Sequence, residues 1–247
     1  MNINQLQNIS DAFPRTEKMP VIFLGHDSPM NAIEENQFVR GFREISKKIP
    51  TPNAILCISA HWFTKGTFVT SGEIQKTIHD FYGFPPELFA VEYPAKGNPE
   101  LAKETAELLA PNSVIETESW GLDHGAWSVI RHLYPEAQIP VIQISIDYTQ
   151  PAQYHFDLAK KLQKLREKGI LIIGSGNVVH NLRMIDWKNI NTVGAGWDWA
   201  IEAREKTNEW ILDGNFQNLI HFEKQGTALQ NAIPTPDHYL PLIYTLG

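Results

Sequence analysis

Four short stretches, residues 21-24, 54-60, 140-146 and 170-174, are runs dominated by Val, Ile, Leu, Phe and Ala, with little of the alternation that marks a half-exposed strand. Near-continuous apolar runs of this length suit β-strands buried on both faces. Helical patterns fall between them. Phe38, Phe42, Ile45 and Ile49 recur at three- and four-residue spacing and predict one face of a helix. Asn98-Pro99 supplies a cap and a first-position proline for a second helix, with Leu101, Thr105, Leu108 and Leu109 on its inner stripe. A third runs from Pro151 to Gly169, with Lys164, Arg166 and Lys168 at the end where cations favour the helix dipole, and residues 197-212 form a fourth. Strand-helix alternation with short connections predicts an α/β fold, a three-layer α/β/α sandwich around a mixed, largely parallel central sheet. Residues 71 to 98 break the pattern, being rich in Pro, Gly and aromatics. A loop of that length inside a compact domain is usually functional.

Charge and cysteine content exclude several function classes. A net charge of -7, with acidic and basic residues dispersed, leaves no basic footprint for nucleic acid. The first 20 residues are polar and carry no apolar leader core, and no window approaches the ~18 apolar residues of a membrane span. A cytoplasmic protein without membrane partners is expected, as a monomer or small homo-oligomer. The single cysteine, Cys57, sits in an apolar run and reads as a small buried hydrophobe. Gly174-Ser175-Gly176-Asn177 lacks the spacing of a phosphate loop or of a dinucleotide fingerprint.

Histidines follow the strands. His26 comes directly after the first apolar run and His61 after the second, while His180 lies a few residues past 170-174. His238 sits in the Pro-flanked turn Pro234-Thr235-Pro236-Asp237-His238-Tyr239-Leu240-Pro241. In open α/β sheets ligands gather at the carboxyl ends of strands, so imidazoles placed just beyond several strands can converge. Convergent imidazoles suggest a metal. No CxxC pair or HExxH helix competes for that role.

Seven segments in order, LGHDSPMNAIEEN, ISAHWFTKGT, TIHDFYGFP, WGLDHGAWSVIRHLYP, VIQISID, SGNVVHNLR and PTPDHYLPLIYTLG, resemble the class III extradiol ring-cleavage dioxygenases, in the branch of the 4,5-DOPA extradiol dioxygenases. The resemblance runs from about residue 19 onward. It implies one catalytic domain over 1-247, with 1-18 as a peripheral segment, and a metal held by His26, His61, His180 and His238. It also implies ring opening of a catechol such as L-DOPA with dioxygen to give a semialdehyde. The family usually has Gly where this chain has Asp27, a carboxylate that could orient His26 or alter the charge of the site. Relatives also continue past the YTLG segment, often into a final strand.

Ring cleavage needs a metal that binds two adjacent oxygens and leaves a position open, which suits iron(II). Zinc(II) has no accessible redox state, so as the bound metal it would be an inactive substitute or the sign of a zinc-dependent hydrolase. A non-catalytic metal- or phenol-binding protein is the remaining alternative on the same fold. A base must take a phenolic proton, and His124 and His180 are the candidates, with Asp123 as a partner polarising an imidazole. His79 is expected to shape the pocket. Trp62, Phe63, Phe81, Tyr82 and Tyr239 suit a flat aromatic ring. His132, His155 and His221 fall on predicted helices and are expected on the surface.

Overall fold

The structure, a computed structural model, describes residues 18-189, 192 and 194-247. The peripheral N-terminal segment expected from the sequence lies, up to residue 17, outside the described residues. The strands are β1 (Val21–Gly25), β2 (Ala54–Thr64), β3 (Thr67–Thr70), β4 (Val114–Thr117), β5 (Val141–Asp147) and β6 (Ile170–Gly176). They form one sheet in the order β1-β6-β2-β5-β3-β4. β1, β6, β2 and β5 are parallel, whereas β3 runs antiparallel to β5 with β4 parallel to it. The sheet is therefore mixed and mostly parallel, as the apolar runs predict. β3 and β4 were not among the expected strands; each is four residues long and they form one edge of the sheet, so neither carries a full apolar run.

The main helices are α1 (Gln37–Ser46), α2 (Pro99–Leu108), α3 (His124–Leu133), α4 (Ala152–Arg166), α5 (Asp198–Leu212) and α6 (Leu240–Leu246). Alternation along β2 shows the layering. Ala54, Leu56 and Ile58 enter a core shared with α2, α4, α5 and α6, while Ile55 and Cys57 enter a second core under α1 and α3. Capping fixes where helices begin. Asn36 accepts from the backbone of Phe38 and Val39, and Asn98 from that of Leu101, each cap stabilising its helix by about 1 kcal/mol. Gly169, with φ of 76°, follows α4 in the left-handed conformation that ends helices. The cap at Asn36 also places Phe38 in the first turn of α1, where it is 52% exposed, and Ile49 lies beyond the helix end. Phe38 therefore leaves the face expected of it, whereas Ile49, half-buried, still packs against the second core.

Two irregularities position chemistry. β2 and β5 keep register from Ile55 to Ile58 and resume at Phe63, so five steps on β2 face two on β5. His61 lies inside this bulge, within β2 rather than after it. A bulge bends its strand and re-aims a side chain, which lets His61 leave the plane of the sheet. The segment 71-98 contains only the four-residue helix Pro86–Phe89, and isolated bridges from Ile74 to Lys96 and from Thr77 to Leu122 hold it in place.

Two of the histidines expected on the surface are elsewhere. His155 is fully buried, with Nδ1 3.0 Å from the Tyr244 hydroxyl, because α4 is covered by α6. His132 is half-buried and donates from Nε2 to the Asn31 carbonyl at 2.8 Å. His221 is exposed as expected.

Burial lowers the His155 pKa to about 4, with the Asp147 charge opposing. Between pH 6.5 and 4 the unfolded chain then binds this proton and the folded chain does not, so the residue's contribution to stability is lost as pH falls through that window. The full difference is about 3 kcal/mol. In thermal melts, His155→Gln is expected to flatten the fall in Tm between pH 6.5 and 4 relative to the wild type. Identical slopes would show that His155 does not carry this proton linkage.

Candidate metal and catalytic centre

At the carboxyl ends of β1 and β6 the backbone sets the first imidazole. His26 donates its amide to Gly176 O at 3.3 Å, and its own carbonyl accepts from the Asn31 side chain at 3.0 Å. Asp27 follows with φ of 51°, a left-handed conformation that suits glycine and is sparse for other residues. Its amide donates to Asn177 Oδ1 at 3.2 Å and the residue is exposed, so its carboxylate does not orient His26. Ser175 does. The Ser175 hydroxyl donates its only proton to Gly125 O at 2.5 Å, so it accepts from His26 Nδ1 at 3.0 Å. His26 is therefore the Nδ1–H tautomer, with the Nε2 lone pair free.

His61 brings Nε2 within 3.1 Å of His26 Nε2. Two nitrogens bonded to one ion at about 2.1 Å stand ~3.0-3.4 Å apart, so this spacing fits a shared divalent metal. On its other side His61 Nδ1 lies 3.3 Å from Asp80 Oδ2. His124, the first residue of α3, approaches the same carboxylate: its backbone amide donates to Asp80 Oδ1 at 2.8 Å, and its Nδ1 lies 3.0 Å away, close but without hydrogen-bond alignment. The Asp80 backbone is open to water, yet its side chain is only 18% exposed. Burial alone would raise this carboxyl, but His124 and His61 hold it below its usual value. One ionised carboxylate thus faces the Nδ1 of two imidazoles and favours leaving both Nε2 atoms unprotonated.

His238 is oriented the same way, with Nδ1 hydrogen-bonded to Asp237. Burial opposes ionisation of Asp237, and the bonds from His238 and Thr235 nevertheless lower its pKa to about 2. The loop that carries His238 lies directly across β6. Asn177 donates its amide to His238 O at 2.8 Å, and a Cβ on Gly176 would collide with that carbonyl. Gly176 is thus there for close approach, and the Gly174-Ser175-Gly176-Asn177 stretch is a seat for His26 and His238. His180, half-buried, stacks on His238 with ring centres 3.4 Å apart.

All four histidines singled out for the metal therefore reach one region, together with His124. Ring nitrogens of His26, His61 and His124 lie within 4.8 Å of one another, and His180, Asp237 and His238 form a second such group. Burial, followed by repulsion from the neighbouring imidazoles, holds His26 well below its ordinary pKa and lowers His61 to about 3. His180 falls to about 4, again by burial first and His238 second. Near pH 7 these rings are neutral lone-pair donors. Neutral nitrogen donors of this kind suit divalent zinc or iron.

Other expected site residues are placed elsewhere. Asp123 caps α3 through Ala126 N and is buried with the Ser59 hydroxyl, at 2.5 Å, and the Gln143 amide. Burial, then the Asp80 charge, raises its pKa; with one oxygen bonded to Ser59 and Ala126 and the other to Gln143, it supports the helix start and hydrogen-bonds no imidazole. Tyr239 points into the core and donates to Leu219 O at 3.1 Å. His79 bonds Val91 O at 2.9 Å and packs against Phe81, Phe89 and Trp127, behind the cluster. Phe81 sets its ring edge-on to His124 at 5.5 Å, whereas Tyr82 is 91% exposed. Trp62 is buried against Trp120, and Phe63 packs against Tyr148. Sequence reasoning missed Asp80 and Ser175. The signal for Asp80 is the HD pair in TIHDFYGFP, an acid directly after a histidine.

A family model described as the catalytic LigB subunit of aromatic ring-opening dioxygenase matches residues 19–247. A 4,5-DOPA dioxygenase extradiol of Escherichia coli (strain K12) is 45% identical over 97% of this chain and 88% of its own length. A Beta vulgaris protein of the same name is 36% identical over 91% of this chain and 85% of its own. Among solved structures, an uncharacterized protein from Escherichia coli K12 superposes with a TM-score of 0.76 at 40% identity, covering 92% of this chain and 88% of that one.

Asp80→Asn replaces an acceptor-only group with one that cannot satisfy both imidazoles. Competition with a chelator is expected to show metal retention weakened about 10-100-fold in a protein with unchanged circular dichroism. Retention at the wild-type level would mean that Asp80 does not set the two rings.

Proposed function

The chain belongs to the family of LigB-type catalytic subunits of aromatic ring-opening dioxygenases, and on that premise we propose that it opens the ring of a catechol carrying an amino-acid side chain, such as L-DOPA. Extradiol cleavage consumes one dioxygen and yields a semialdehyde. The observation that carries the site assignment is the spacing of three rings. His26 and His61 are 5.0 Å apart between ring centres, His26 and His238 5.2 Å, and His61 and His238 5.0 Å. Two imidazoles sharing one ion at ~2.1 Å bonds stand about 4.6-5.3 Å apart between centres. The other contacts fall outside that window, at 3.8 Å for His61–His124, 5.8 Å for His26–His124 and 3.4 Å for His180–His238. His26, His61 and His238 are accordingly our metal ligands. This narrows the four expected from the resemblance, with His180 released for another role.

His26, His61 and His238 would hold the metal, and iron(II) there would supply the open positions and redox chemistry that ring cleavage needs and that zinc lacks. A reducing cytoplasm suits that ion. The protein's own part is proton handling and orientation. His180 is neutral at pH 7, stands at the half-exposed side of the cluster and can pass a phenolic proton on to water. His124 is only 6% exposed and lacks such an outlet. With Nδ1 turned to Asp80, its Nε2 is free to hold a substrate oxygen, and Phe81 beside it offers the substrate ring an apolar wall.

Protein loaded with iron under anaerobic conditions, then given L-DOPA and oxygen, is expected to form a yellow semialdehyde with one oxygen consumed per substrate. No oxygen uptake with any catechol would sink the reading. His26→Ala and His238→Ala should lose stoichiometric metal while remaining folded. His180→Ala should keep the metal and lose roughly 10²-10⁴ in rate. If elemental analysis finds the metal gone from His180→Ala, the assignment of ligand and base is reversed.

A further inference from the structure

The far end of α3 carries a second concave site. His124 opens α3, and Arg131 lies seven residues on, about 10 Å away along the helix axis. There a cavity of about 520 Å³ opens between α3, the 32-35 segment with Arg43 in the last turn of α1, and the 92-94 segment. Ile33, Pro94 and Pro135 give it apolar walls. Its charged lining is Arg43 and Arg131 against Glu34, Glu35 and Glu92.

The charges are unevenly satisfied. Arg43 is tied to Glu35 at 2.7 Å. His132 is engaged with Asn31 and is held below its ordinary pKa, first by burial, so it adds no charge at pH 7. Arg131 has a buried Nη1 with no hydrogen-bond partner among the described residues. Glu34 and Glu92 likewise form no ion pair among the described residues. Arg131 lines the cavity without an ion pair among the described residues, and a carboxylate matches the planar fork of a guanidinium. A simple anion would meet a lining with one more carboxylate than guanidinium. A ligand that also carries an ammonium group removes that conflict.

We propose that this cavity binds a small zwitterion of the α-amino-acid class, its carboxylate on Arg131, its ammonium facing Glu34 and Glu92, and its side chain against Ile33, Pro94 and Pro135. The volume lies within the range of small-ligand pockets. The site is also two hydrogen bonds from the metal cluster, since His132 holds Asn31 and Asn31 holds the carbonyl of His26. The inference rests on this lining alone and stands apart from the catechol reaction.

Titration calorimetry with L-leucine, which has no phenol for the metal, tests it. One-to-one binding is expected, with 4-methylpentanoate and 3-methylbutylamine, each lacking one of the two charges, at least about tenfold weaker. Arg131→Gln and the Glu34→Gln, Glu92→Gln double variant should each reduce leucine binding by a similar factor. Arg131→Lys, which keeps the charge and loses the fork, should fall between and guards against a folding defect in Arg131→Gln. Absence of leucine binding, binding that survives Arg131→Gln, or 4-methylpentanoate binding as well as leucine would each overturn the proposal.

Discussion

Five imidazoles packed within a few ångströms of one another can share a buried space only if nearly all are uncharged. Burial and mutual repulsion enforce this at His26, His61 and His180. Neutral rings still have to be told which nitrogen carries the proton. Four of the five are told from behind: Ser175 accepts from His26, Asp237 pairs with His238, and Asp80 faces both His61 and His124. The rest of the fold can be understood as bringing these backing groups to the same end of the sheet. Parallel β1, β6 and β2 put their carboxyl ends side by side, the bulge in β2 lifts His61 out, and α3 begins where Asp80 can cap it.

Much of that frame was legible from residue type. A strand buried on both faces has to be apolar throughout, so β1, β2, β5 and β6 announced themselves. β3 and β4, four residues each, are too short to do so. Asn98-Pro99 and Gly169 are helix punctuation with a local cause, so those boundaries were readable. Phe38 shows the limit of periodicity, since a cap two residues earlier turned an apolar position outward.

The site divided along the same line. Histidines after strands are a one-dimensional signal, and the four picked out this way do converge in space. What backs them is three-dimensional. Asp80 comes from an irregular segment whose path no periodicity predicts, and Ser175 looked like part of a glycine-rich strand end. Asp123 and Tyr239 sit beside key histidines in sequence, yet a helix start and a proline turn send them into the interior. Neighbourhood in the chain was a poor guide to neighbourhood at the site. The same holds for His155, whose burial depends on α6, where its partner Tyr244 lies 89 residues further along.

Gly176 carries a last consequence. Because it lets the His238 backbone lie flush on β6, the turn before α6 is part of the site's floor as well as a source of one ring. The cluster draws on residues from 26 to 238, so during synthesis it stays open until almost the whole described chain has left the ribosome. A nascent chain holding His26 and His61 alone would offer a metal an unfinished pair of donors. Completion of the centre therefore waits on the turn that carries His238.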